Sequence, residues 1–180
     1  AAWISLTAYL TIFLFSIFYL IWRFPLFLIV SKEVPTIGCI FTVIAMITGS
    51  LWGKPTWGTY WVWDARLTSF FILFFVYLGL ILVKNTLRNN SKSNNVYAYL
   101  SILGGINLPI IKFSVDWWNT LHQPASVFRL EGPSISSEML YPLIIMALGF
   151  LFLFLYLLLT NISSHLDEKK LIQLKQKING

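Results

Sequence analysis

Residues 140–160 read LYPLIIMALGFLFLFLYLLLT, twenty-one consecutive positions without an Asp, Glu, Lys, Arg or His. At 1.5 Å per residue such a run makes a helix of roughly 30 Å, the thickness of a bilayer's hydrocarbon core. A helix apolar on all sides has no face to turn to water, so this segment reads as a membrane span. Four more segments share its character: Ala2–Trp22, Val34–Leu51, Leu67–Val83 and Val96–Ile111, none with an Asp, Glu, Lys, Arg or His in its interior. With 57% hydrophobic residues, 11% charged and a mean hydropathy of +0.74 over 180 residues, the chain reads as one all-α, polytopic membrane bundle of five helices. Residues 1–160 form its membrane domain, with outer loops at 52–66 and 112–139, and 161–180 form a basic tail.

Charge gives the orientation. Arg23, Lys32, Lys84, Arg88, Lys92, Lys169, Lys170, Lys175 and Lys177 lie on one side with Glu33, Asp167 and Glu168. On the other side Lys54, Arg66, Lys112 and Arg129 balance Asp64, Asp116, Glu131 and Glu138. The whole formal charge of +6 therefore sits on one face, which the positive-inside rule assigns to the cytoplasm or mitochondrial matrix. Basic residues scattered over three inner segments do not make a nucleic-acid surface. Proton pumps and many ion-coupled carriers need ionisable groups at depth, and these spans lack them.

All the tryptophans but Trp22 sort to the opposite face. Trp52 to Arg66 read WGKPTWGTYWVWDAR, a connection holding four of the chain's eight tryptophans. Half-exposing each indole costs about 2 kcal/mol, so they must rest on lipid, on one another, or on a ligand. The next outer loop carries SVDWWNTLHQ, Ser114 to Gln123, with a second tryptophan pair. If that segment is helical, Trp118 and His122 are four apart and share a face. An exposed imidazole beside indoles suits ligation of a planar iron tetrapyrrole. A hydrogen-bonded structural histidine and loops that only anchor to lipid are the plainer alternatives. His165, in the charged tail, reads as solvated.

The segments TGSLWGKPTWGTYWVWDARLTS, Thr48 to Ser69, and NLPIIKFSVDWWNTLHQPAS, Asn107 to Ser126, resemble the haem-handling membrane proteins of cytochrome c maturation, the family called cytochrome c maturation protein C or haem exporter protein C. The signature Trp-Gly-x-x-Trp-x-Trp-Asp of that superfamily matches at Trp57, Gly58, Trp61, Trp63 and Asp64. The resemblance implies that haem b is held on the outer face over this loop by two axial histidines. It is then passed to a membrane-anchored haem chaperone with help from ATP-binding-cassette transporter subunits, in a bacterial or mitochondrial inner membrane. His122 matches the second axial histidine. The first is expected upstream of Ala1, in a His-Val-Pro stretch after a further helix that brings the family total to six, so the chain reads as truncated at its start.

In that role Trp57, Trp61, Trp63, Trp117 and Trp118 form the platform, His122 ligates iron, and Lys54, Arg66 or Arg129 pairs with the propionates. Asp64 is expected to orient the loop through hydrogen bonds rather than touch the metal. No catalytic set is present, so an enzyme is not expected. Two other classes stay open: a haem lyase using Asp116 or Asp64 as acid or base, and a structural subunit of a transporter.

Smaller features complete the reading. Gly49 and Gly53 make a GxxxG that would allow close helix contact. Pro109 should free the carbonyl of Gly105 and kink the fourth span. Leu171, Leu174 and Ile178 predict a short helix lying on the inner leaflet. Cys39 is the single cysteine, which leaves no disulfide.

Overall fold

A computed structural model describes residues 1–86, 91–118, 122 and 135–179. Its helices are α1 (Ala2–Trp22), α2 (Pro25–Trp57), α3 (Ala65–Thr86), α4 (Ser91–Gly104), α5 (Asn107–Trp117) and α6 (Ser137–Asn179). The described residues form no strand. Taking α4 and α5 as one broken span, five helices are long and apolar enough to cross a membrane.

Local chemistry sets each turn. Arg23 ends α1 in the left-handed region, φ 56°, with its N–H on the Tyr19 carbonyl. Extended Phe24 then leads into Pro25, whose missing N–H is harmless in a first helical turn. The result is a tight α1–α2 hairpin, bound through its length by small polar side chains. Ser5 meets Thr42 at 2.5 Å and Ser16 meets Ser31 at 2.7 Å, all four buried. Small residues of this kind let helix backbones approach where lipid supplies no hydrophobic drive.

Three tyrosines close the core. In lipid every backbone carbonyl needs a partner within the protein, and two interruptions free carbonyls here. Pro35 lacks the N–H that would bond the Ser31 carbonyl, and the Tyr97 hydroxyl donates to it instead at 2.8 Å. Between α4 and α5 the Gly105 N–H bonds back to Ile102, bypassing Ser101, whose carbonyl accepts from the Tyr9 hydroxyl at 3.1 Å. Tyr77 similarly donates to the Ser5 carbonyl at 2.6 Å. All three rings are buried.

The fourth span breaks at Gly104–Gly105, earlier than the proline. A Cβ at Gly104 would strike the Tyr9 hydroxyl, and one at Gly105 the Phe13 ring, so α1 lies directly on this bend. Pro109 belongs to the same feature. The Gly105 carbonyl it cannot bond accepts the Leu108 N–H at 3.0 Å.

Several expectations are corrected. The predicted span Val34–Leu51 is only the middle of α2, which at 33 residues is about 50 Å long. Lys32 and Glu33 thus lie inside a helix rather than in a connection. Glu33 is buried and pairs with Lys84 at 2.9 Å, while His165 Nδ1 lies 3.4 Å from its other oxygen. His165 is therefore a packing partner of α2, not a solvated residue. The tail is no separate helix, because α6 runs unbroken for 43 residues. Nor does the Gly49/Gly53 pair mediate helix contact: Gly49 has nothing within 4 Å of a built Cβ, and Gly53 faces Trp57 and Thr59 of its own connection.

The bundle has two chemically distinct ends. At one, Lys84 meets Glu33, Lys32 bonds Asn94 at 2.8 Å, and Arg23 bonds Asn95. Trp52, Trp57 and His122 meet at the other.

Candidate functional site

The tryptophan-rich connection takes its shape from a helix end. Gly58 terminates α2 at φ 77°, a conformation glycine adopts without strain, and its N–H bonds the Lys54 carbonyl at 3.0 Å. Lys54 folds back, its Nζ on the Gly58 carbonyl at 3.1 Å and over the Tyr60 ring at 5.1 Å. The Thr59 hydroxyl donates to the Trp61 carbonyl at 3.1 Å, turning the chain again. Edge-on contacts hold the indoles: Trp52 to Trp57 at 5.4 Å, Trp61 to Trp63 at 5.7 Å, and Trp61 and Trp63 each 6.0 Å from Phe71.

Asp64 closes the connection. Its Oδ1 accepts the Leu67 N–H at 2.7 Å, the bond by which an aspartate caps a helix, here the start of α3. Its Oδ2 lies 3.0 Å from Nδ1 of His122. The His122 ring also stands edge-on to Trp57, centroids 4.7 Å apart at 70°. Residue 122 of the second aromatic loop is thereby seated on the first.

Beside this contact lies a cavity of about 240 Å³ bordered by Gly49, Trp57, Tyr60, Trp61, Arg66 and His122, and at the start of α1 by Ala2. Tyr60 and Trp61 also border an open groove of about 580 Å³ that continues past Trp63 and Phe71 along α2. The Trp61 Nε1 is buried and has no hydrogen-bond partner among the described residues. An aromatic wall, one imidazole, a buried indole N–H and a half-buried guanidinium can together hold a flat, largely apolar, anionic molecule.

Not every expected residue gathers here. Trp57, Trp61, Asp64 and His122 converge, with Gly58 shaping the turn, while Trp63 lies on the adjoining groove, 71% exposed. Trp117 and Trp118 do not border this cavity. The helix ends at Trp117 and Trp118 is extended, φ −132° and ψ 151°, so the helical i,i+4 pairing of Trp118 with His122 does not form. Trp117 stacks on Phe113 instead, 5.5 Å apart at 26°. Of the basic candidates Arg66 borders the cavity, Lys54 is engaged by Gly58 and Tyr60, and Arg129 lies outside the described residues. Asp116 is exposed on α5. No group of three or more His, Cys, Asp or Glu residues forms a metal cluster among the described residues. Sequence reasoning missed Gly49 and Tyr60 as lining residues. Their only signals were the GxxxG, read as helix packing, and a tyrosine among tryptophans.

The model of the family described as "Heme exporter protein C" matches residues 1–177. Heme exporter protein C of Bradyrhizobium diazoefficiens is 47% identical over 97% of the chain and 66% of its own length. Heme exporter protein C of Haemophilus influenzae is 42% identical over 89% of the chain and 65% of its own. A mitochondrial protein of Marchantia polymorpha, named for cytochrome c biosynthesis, is 48% identical over 85% and 64%. The chain thus spans slightly under two thirds of the length of these relatives.

Proposed function

The chain belongs to the haem exporter protein C family, and from that premise we propose that it binds haem b over the tryptophan-rich loop and presents it to a membrane-anchored haem chaperone during c-type cytochrome biogenesis. Haem is cargo in this reading, and the protein supplies a seat, an orientation and a handover surface. ATP-binding-cassette transporter subunits are its partners in the membrane. The observation that carries the proposal is the seating of His122 on Trp57 and Asp64 at the edge of the aromatic cavity.

Each residue then has a task. Trp57 and Trp61 line the seat, Trp63 extends it along the open groove, and His122 provides an axial nitrogen. Arg66 is the propionate partner best supported by position. Ala2 borders the same cavity, so the start of α1 forms part of the seat. The charge asymmetry supports placing the aromatic end on the periplasmic or intermembrane-space side. Bacterial and mitochondrial relatives both suit an inner membrane. A lyase reading finds less support, since Asp64 is committed to two hydrogen bonds and Asp116 is exposed and does not border the cavity.

The test compares tryptophans from the two ends. Trp61→Ala and Trp63→Ala should lower haem retention of the purified protein severalfold, whereas Trp22→Ala, in the Phe18–Phe27 cluster at the opposite end, should leave it unchanged. Equal haem occupancy in all three at matched yield would contradict the proposal.

A further inference from the structure

The side chain of Asp64 is only 6% exposed, and each of its oxygens has a different partner. Oδ1 is fixed by the Leu67 N–H, so Oδ2 is aimed by the start of α3 rather than by a flexible loop. It is aimed at His122 Nδ1, 3.0 Å away, while the Trp57 edge restricts the imidazole plane. A neutral imidazole carries one N–H, and the acceptor it meets decides which nitrogen holds it. A carboxylate at Nδ1 places the proton there.

We infer that Asp64 is a positioning residue for haem: its Oδ2 holds His122 as the Nδ1–H tautomer, directs iron ligation to Nε2, and biases the site toward ferric iron. This rests on the haem-binding reading above. The bias follows from charge. A carboxylate hydrogen-bonded to the far nitrogen makes the ligating nitrogen more basic and adds negative charge near the metal, and ferric iron carries one more positive charge than ferrous. The same carboxylate couples the ligand to the fold, because its other oxygen caps α3.

Two substitutions separate aiming from capping. Asp64→Asn and Asp64→Ser both keep an N-cap of comparable quality, so both should fold. The serine is too short to reach His122. In the asparagine variant, with its oxygen on Leu67, the amide NH2 turns to Nδ1 and drives the proton to Nε2, the wrong nitrogen for ligation. Imidazole 15N NMR on the haem-free protein reads this directly. His122 and His165 are the chain's two histidines, so His165→Gln identifies the signals.

The Nδ1–H form is expected in the native protein, the Nε2–H form after Asp64→Asn, and a mixture after Asp64→Ser. Ferric haem affinity should fall about 10–100-fold in both variants, and the midpoint potential of the haem they retain should rise. An Nε2–H His122 in the native protein overturns the inference. So does haem binding that needs His122 but is indifferent to both Asp64 variants, although the haem reading survives that result. If the tautomers change as stated while haem binding ignores His122, the orienting pair stands and the haem reading fails.

Discussion

A Cβ placed on Gly49 meets nothing within 4 Å, and this glycine borders the His122 cavity. Filling it therefore tests the cavity without straining the fold. Gly49→Leu removes a helix-weakening residue from α2, so the protein should unfold no earlier than wild type. Haem affinity should fall tenfold or more, about 1.4 kcal/mol, because the leucine occupies the seat. Unchanged affinity in a titration would place the haem elsewhere. At this scale the sequence revealed residue types but not their pairing. Asp64 and His122 were each recognisable, yet 58 residues separate them and no periodicity links them. The expected Trp118–His122 neighbourhood assumed a helix that ends at Trp117. Asp64 does bond within its loop as expected, but its second bond depends on tertiary placement.

Among the elements, α2 shows where hydropathy reading succeeds and where it stops. Apolar runs mark the middle of a span, but a helix continues into the interface wherever its polar residues find partners. Lys32 and Glu33 therefore looked like a connection until Asn94, Lys84 and His165 appeared beside them. The fourth span was legible as a bent helix from Pro109, while the position of the bend depended on Tyr9 and Phe13 of α1. The tyrosines give a prediction at this scale. Tyr97→Phe keeps the ring and leaves the Ser31 carbonyl, freed by Pro35, without its donor. An unsatisfied buried group of this kind costs about 1–3 kcal/mol, which should appear as earlier thermal unfolding in detergent. Haem affinity of the folded fraction should not change, since Tyr97 packs at the Lys32 end, far from His122. An unchanged melting temperature would mean that the carbonyl finds another partner.

For the whole molecule, five spans and the sorting of charge from tryptophan were legible because both follow from the bilayer itself, which acts on composition rather than on contacts. In the structure Arg23, Lys32 and Lys84 each pair with a polar side chain at one end of the bundle, and Trp57 meets His122 at the other. What composition could not supply is the convergence of four separate segments, the starts of α1 and α3, the end of α2 and residue 122, on one cavity. The most direct test of that convergence as a haem seat is the optical spectrum of the haem-loaded protein with and without His122. A haem seat at His122 gives a histidine-ligated spectrum that His122→Ala abolishes and added imidazole restores, since a free ring can fill the vacated axial position. The same haem spectrum from both proteins would contradict it, leaving His122 a structural histidine held by Asp64.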